Sequence, residues 1–473
     1  MKKKKGKLEK SNKGILNITY FFLLIFIGMI VYFVNFQLNE SDEIINNSYN
    51  KREEVLTERV IRGSIISSDS EILAQTIIDN EGNEKRYYPY SNMFSHSVGY
   101  SDYGNTGIEL MANYKLLTCN MPVTDYALNE VKGNKNEGDN VITSLNVGLT
   151  KTAYDALGDH QGAVIAIEPE SGKILTMISK PDFDPNKIAE IYDSLVNDEN
   201  NSSLVNRATN GLYTPGSTFK LFTLFEYIKE NVGYDSYTYD CNGQIEYHNI
   251  VLRCANSRRH GNQNLTSSFA NSCNSSFANI GLNVNKDSFK NTCESLLFNK
   301  DLPIDLNYKK SQFILDSSSS EFDTMQTAIG QGKTLVTPIH LCMISSAIAN
   351  NGILVKPYMI TAVENQNGKV IKEYESNENY VLFSDEDANM LKPYLRAVVT
   401  EGTATNLLSD SYEAYGKTGT AQINDGSQSN SLFMGFAEKG SKKIAICVVM
   451  EDMPEGSTPA VPVAKAVFDK FFE

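Results

Sequence analysis

Tyr213-Thr214-Pro215-Gly216-Ser217-Thr218-Phe219-Lys220 puts a turn, a hydroxyl and an amine into one short run. Pro215 and Gly216 mark the turn. Residues 217–228 then read as a helix with apolar residues on nearly all its sides, which predicts burial rather than a surface position. Ser217 falls in the first helical turn. Lys220, three residues on, shares its face and comes within reach of the hydroxyl. A serine hydroxyl is a weak nucleophile until a base takes its proton. A lysine can be that base only when neutral. Burial, a second cation or the positive end of a helix each lower its pKa. Ser-x-x-Lys is a short pattern, and the polar stretch Ser48-Tyr49-Asn50-Lys51 matches it by chance. The pair therefore needs partners elsewhere in the chain.

The 473 residues suffice for two or three domains with a sizeable core. The beginning stands apart. Lys2, Lys3, Lys4, Lys5, Lys7, Lys10 and Lys13 are opposed only by Glu9, and residues 14–39 carry no charge. A helix of about 20 apolar residues spans a bilayer. The pattern predicts a basic cytoplasmic tail at 1–13, a single transmembrane anchor at 14–39, and residues 40–473 outside the cell. No small-residue cleavage signal follows and no cysteine precedes Cys119, so an uncleaved anchor is expected. Seven lysines against one glutamate give the first 39 residues +6; the whole chain is −14, which leaves −20 for the remainder. So acidic an exterior argues against nucleic-acid binding.

Residues 40–60 read as a polar stalk. From about Val60, short alternating runs separated by Gly and Asn turns suggest a small strand-rich module, continuing through Gly104–Leu110 and closing near 141–145. Asn146 to Leu157 reads as a helix. Residues 162–168 and 174–178 read as a hairpin, and 181–206 as a polar loop. Residues 264–350 are helical by pattern, with a short Ser-rich interruption at 316–320. Residues 414–421, 432–437 and 443–451 read as strands and 461–472 as a closing helix. Two strands, a block of helices, then strands and a helix predict an α+β fold, one antiparallel sheet with helices on its faces. The expected domains are a membrane-proximal pedestal at 40–146 and a catalytic domain at 147–473.

Two further short motifs follow Ser217-Thr218-Phe219-Lys220. Ser272-Cys273-Asn274 is a Ser-x-Asn, and Lys417-Thr418-Gly419 lies in a predicted strand of the final sheet. The three together, in this order, form a specific set. On it the chain resembles the class B (monofunctional) penicillin-binding proteins, D,D-transpeptidases with a penicillin-binding/serine β-lactamase-like domain. Asn206-Arg207-Ala208, Gly330-Gln331-Gly332, Thr337-Pro338, Asn350-Asn351-Gly352, Gly402-Thr403, Arg62-Gly63 and Gly107-Ile108-Glu109 also resemble family segments, so the resemblance covers nearly everything after residue 60.

That resemblance implies roles. Ser217 attacks a D-Ala-D-Ala carbonyl and Lys220 takes its proton. Ser272 relays a proton to the leaving amine. Lys417 supplies positive charge that keeps Lys220 neutral and attracts the substrate carboxylate, which Thr418 and Thr420 hold. Asn274 bonds the substrate amide. Gly419 lets the substrate strand approach. The N–H groups of Ser217 and Thr420 form the oxyanion hole. No cofactor is implied for catalysis. The implied partners are peptidoglycan stem peptides, β-lactam antibiotics and a membrane glycan polymerase of the SEDS type. Residues 40–146 are too few for a glycosyltransferase domain. Cys273 departs from the Asp of the family motif, at a position whose side chain need not face the site. No convincing counterpart of a deacylating glutamate is found; Glu294 to Asn299 is a loose echo. A carboxypeptidase or β-lactamase on the same scaffold and a β-lactam-sensing receptor are the rival functions. The short predicted tail leaves a sensor no room for a signalling domain.

Seven scattered cysteines do not form a disulfide framework. Cys241, Cys254 and His260 nevertheless fall close together. A structural zinc takes four such ligands, and Asp240, preferred over His248, is the expected fourth. A Cys241–Cys254 disulfide, favoured outside the cell, or two free thiols are the alternatives. His96, His160 and His340 are isolated and read as structural.

Overall fold

A computed structural model describes residues 2–39, 52–198, 202–423, 428–454 and 457–473. They fall into two units, Met1–Val60 and Ile61–Glu473. In the first unit one helix runs Lys2–Asn39. Its Lys13–Phe36 portion, 24 residues containing a window of mean hydropathy 2.3, is long and apolar enough to cross a membrane. Its large apolar side chains are exposed, as a lipid-facing helix requires. Most of the expected stalk lies outside the described residues.

The second unit is organised on a five-stranded antiparallel sheet. Its spatial order is Glu413–Ile423, Gln428–Lys439, Lys442–Pro454, Gly162–Ile167, Ile174–Lys180. All six residues of Gly162–Ile167 are buried, the signature of a strand covered on both faces. The helix Pro338–Ala349, buried along its whole length, packs against three of these strands. Val147–Leu157 and Ala460–Phe472 pack on each other and on the sheet. The register places Lys417 opposite Met434, then Cys447, Ile165 and Met177 along one cross-strand row. An amine thus completes a row that is otherwise apolar and buried. The expected hairpin, closing strands, closing helix and α+β architecture are all present.

Several segments differ from expectation. Gly107–Met111 is a helix, not a strand, and it turns Glu109 inward to pair with Arg62 at 2.6 Å and Arg86 at 2.7 Å. Ile188–Asn197, expected within a polar loop, is a helix whose Ile188, Ile191, Tyr192 and Leu195 cluster with Tyr100 and Phe183. Between Ser295 and Glu321 the chain is irregular over a longer stretch than the Ser-rich run suggested. Strand pairing crosses the expected boundary at residue 146. Ile360–Glu364 and Val370–Glu373 form a hairpin that returns to pair with Asn140–Thr143. The six-stranded pedestal sheet is therefore completed by chain from the catalytic half.

Candidate active site

Ser217 lies in a tight helical turn, Gly216–Phe219, that runs directly into the helix Lys220–Glu230. Close backbone approach fixes the turn. Gly216 sits at φ +54°, where a Cβ would stand 2.6 Å from the Thr420 carbonyl, and its own N–H donates to the Gly330 carbonyl at 2.9 Å. The helix behind it is buried on most sides, as its sequence predicted.

Lys220 is fully buried, and its Nζ has four oxygens around it. Ser217 Oγ lies at 3.1 Å, Ser272 Oγ at 3.2 Å, and the Ser272 carbonyl and Asn274 Oδ1 at 2.7 Å each. The last two can only accept hydrogen bonds. A neutral amine has two N–H groups and one lone pair. Given to those two acceptors, its N–H groups leave the lone pair free for a hydroxyl proton. Burial lowers the Lys220 pKa from the ordinary lysine value to about 8, against an opposing pull from the Cys273 and Cys254 thiols.

Lys417 reaches the same point from the sheet. Its Nζ donates to Ser272 Oγ at 3.0 Å and to the Thr418 carbonyl at 3.2 Å. The Ser272 hydroxyl therefore bridges the two amines. Lys417 is also fully buried, and its pKa is driven well down, first by burial and then by the charge on Lys220. Lys417 was expected to be the standing cation that keeps Lys220 neutral. Burial is what lowers Lys220, and the charge on Lys220 in turn lowers Lys417.

Ser217, Ser272, Asn274, Thr418 and Thr420 line one cleft of ≈ 510 Å³. Strand alternation explains the selection: Thr418, Thr420 and Gln422 share a face that lines the cleft, while Lys417 and Gly419 share the other. At Gly419 a Cβ would meet the Pro215 carbonyl at 2.8 Å and Thr218 Cγ2 at 2.9 Å, so the glycine also admits the nucleophile turn. Thr403 Oγ1 holds Thr418 Oγ1 at 2.6 Å, and Gln331 Nε2 donates to the Thr420 carbonyl at 3.4 Å. Both residues belong to segments the sequence reading named without giving them a task. Glu451, which it missed, accepts from Arg207 Nε at 2.9 Å and Tyr213 OH at 2.6 Å, bracing the chain that leads into the nucleophile turn.

Beside the cleft the structure gathers Cys241, Cys254, His260 and Cys273. Asp240, expected as the fourth member, is not among them. It is exposed one residue before buried Cys241 on the strand Thr238–Cys241, where neighbours point to opposite faces. Cys273 takes that place: it is buried, does not line the cleft, and its thiol lies 3.8 Å from that of Cys254. The hydrogen bond from Cys273 lowers the pKa of the Cys254 thiol. His248, the other candidate, is exposed and pairs with Glu321.

A family model described as the penicillin binding protein transpeptidase domain matches residues 162–469. The chain belongs to this family. The penicillin binding protein A dimerisation domain matches residues 62–141. Peptidoglycan D,D-transpeptidase MrdA of Acinetobacter baumannii is 26% identical over 447 residues, covering 81% of this chain and 65% of that protein. Stage V sporulation protein D of Bacillus subtilis is 29% identical over 414 residues, covering 80% of this chain and 62% of that protein. The chain thus spans just under two thirds of the length of these two relatives. Among solved structures, the D,D-transpeptidase domain of a peptidoglycan glycosyltransferase from Eggerthella lenta aligns with a TM-score of 0.77 and 28% identity. That alignment covers 87% of this chain and 98% of that one.

Proposed function

We propose that this chain is a membrane-anchored peptidoglycan D,D-transpeptidase that cross-links D-Ala-D-Ala stem peptides through an acyl-enzyme on Ser217, and that β-lactams acylate the same serine. One observation carries the reading: a buried lysine of lowered pKa stands 3.1 Å from the Ser217 hydroxyl, with a serine-bridged second lysine behind it. The name of the MrdA relative, a peptidoglycan D,D-transpeptidase, agrees with it.

The chemistry needs no cofactor. Lys220 accepts the Ser217 proton as the Oγ–carbonyl bond forms, and the N–H groups of Ser217 and Thr420 take the developing oxyanion. Ser272, bonded to both amines, passes a proton to the departing D-Ala nitrogen as the amide bond breaks. Lys417 attracts the terminal carboxylate, Thr418 and Thr420 hold it, and Asn274 holds the substrate amide. An acceptor amine then attacks the ester and Ser217 regains its proton. Among the described residues lining the cleft none is Asp or Glu. Among the described residues, then, the ester has no adjacent carboxylate to activate water, which favours transfer to an amine over hydrolysis.

The lysine-rich run before the apolar helix supports a cytoplasmic N-terminus with Ile61–Glu473 outside the cell. A SEDS-type glycan polymerase is the proposed membrane partner. A structural zinc is the proposed non-catalytic cofactor. Fluorescent penicillin should label the full chain in detergent and fail to label Ser217→Ala. The label should persist for many catalytic cycles of a β-lactamase; rapid release would assign a hydrolase instead.

A further inference from the structure

Most buried arginines of this fold are committed to partners inside it. Arg62 and Arg86 pair with Glu109, Arg207 pairs with Glu451, and Arg396 donates to the Ala414 carbonyl. Arg253 and Arg258 differ: both are exposed, and among the described residues neither side chain has an ion pair or a hydrogen bond. Both line the catalytic cleft, whose described lining holds no Asp or Glu. In a chain of net charge −14, unpaired guanidiniums in a cleft without a carboxylate mark a place for an anion.

Local structure holds these side chains in place. Gln244–Tyr247 and Ile250–Arg253 form an antiparallel hairpin. Leu252 is buried, so its strand neighbours Val251 and Arg253 share the opposite, exposed face. Beyond Cys254 the chain turns back on itself. The Ser257 N–H donates to the Cys254 carbonyl at 2.9 Å and the Arg258 N–H to the Ala255 carbonyl at 3.0 Å, with Asn256 and Ser257 at φ +51° and +52°. That turn returns Arg258 to the cleft. The strand end is also fastened to the catalytic loop, because Asn274 Nδ2 donates to the Arg253 carbonyl at 3.2 Å.

In the transpeptidase reading the substrate crosses this wall in one direction. Thr418 and Thr420 take the terminal carboxylate, Ser217 takes the D-Ala carbonyl, and Asn274 takes the amide upstream of it. The residue before D-Ala-D-Ala then leaves the cleft past Asn274, toward Val251, Arg253 and Arg258. We infer that Arg253 and Arg258 bind a second carboxylate of the stem peptide, carried on the side chain of the residue immediately before D-Ala-D-Ala, and so set which stem peptides this chain accepts. The inference rests on the transpeptidase reading. A guanidinium fork meets a carboxylate through two parallel N–H···O bonds. Val251, 43% exposed, offers apolar contact to the methylenes of such a side chain. A carboxamide in the same place carries no charge and sets its NH2 group against arginine donors. Arg253 and Arg258 are specificity residues: they hold the peptide and take no part in the bond changes at Ser217.

The test compares synthetic γ-D-glutamyl-meso-diaminopimelyl-D-Ala-D-Ala with its diaminopimelyl side-chain amide and with its glutamyl α-amide. The readout is kcat/KM for D-Ala release by the full chain in detergent, with an added D-amino acid as acceptor. Wild type should prefer the free peptide to the diaminopimelyl amide by about tenfold or more, and should treat the glutamyl amide like the free peptide. The preference should shrink as salt rises, because exposed guanidiniums are screened. Arg253→Gln/Arg258→Gln should abolish the preference, chiefly by slowing the free peptide, and Arg253→Lys/Arg258→Lys should keep part of it. A double Gln variant that slows all the peptides alike and keeps the preference overturns the inference. Should the variants fail to fold, the wild-type preference and its salt dependence decide. Equal wild-type rates on the free peptide and the diaminopimelyl amide, or a preference that follows the glutamyl carboxylate, overturn the inference and leave the transpeptidase reading standing. No D-Ala release from any peptide and no labelling by fluorescent penicillin overturn the transpeptidase reading, and this inference with it.

Discussion

Asn274→Asp should shrink the neutral fraction of the lysine base while barely changing the shape of the site. Asn274 Oδ1 lies 2.7 Å from Lys220 Nζ, and the substitution puts a carboxylate oxygen there. Lys220, held at about 8 by burial, is about 9% neutral at pH 7; a lysine at the ordinary 10.4 would be about 0.04% neutral. A carboxylate this close raises a lysine's pKa by about one to three. The neutral fraction at pH 7 then falls about tenfold to about a thousandfold, and the acylation rate with it. The sign follows from the role. A base acts deprotonated, so the wild-type rate should climb as pH rises through about 8, and the variant's climb should sit higher. Stopped-flow or gel-based measurement of penicillin acylation between pH 6 and 11 gives both curves. Partial recovery of Asn274→Asp at high pH separates the effect from loss of a substrate contact, which would lower the rate equally at every pH. A variant curve parallel to wild type throughout, or a wild-type rate flat across pH 7–9, would refute Lys220 as the titrating base.

Lys417→Met should slow acylation by about a hundredfold or more while raising the melting temperature, because a fully buried amine in an apolar row is exchanged for an apolar side chain of similar length; thermal unfolding without ligand checks the second half. Gly419→Ala should destabilise the chain by about 1–3 kcal/mol in urea unfolding, and slow acylation, because its Cβ would press on Pro215 and Thr218. Glu451→Ala should cost about 1–3 kcal/mol by unpairing Arg207 and Tyr213, and Glu451→Gln, which keeps an acceptor, should cost less.

Local rules carried much of this site. The three-residue spacing that sets Lys220 over Ser217 is a property of any helix, and the apolar run around it announced the burial that lowers the lysine. Ser272 and Lys417 could be found only as members of a motif set, because nothing local shows that residues 55 and 200 positions away meet at one hydroxyl. Period-two alternation would have excluded Asp240 as a partner of Cys241, its neighbour on the same strand. It would also have turned Gly419 to the Lys417 side, away from Thr418 and Thr420. The spacing of Ile188, Ile191, Tyr192 and Leu195 is helical, but the flanking Asp and Asn residues masked it. The return of Ile360–Glu373 to the pedestal sheet depends on pairing across more than two hundred residues, for which periodicity holds no signal. Cys273 was read only as a departure from the family motif whose side chain need not face the site; the fold brings it to Cys254.

The central claim is that Ser217 becomes the ester. Intact-mass measurement of the full chain after exposure to penicillin, followed by peptide mapping, tests it most directly. The predicted result is the mass of one whole penicillin added per chain, located on the peptide that carries Ser217 and absent from Ser217→Ala. An adduct on any other residue, or one that survives Ser217→Ala, would contradict it.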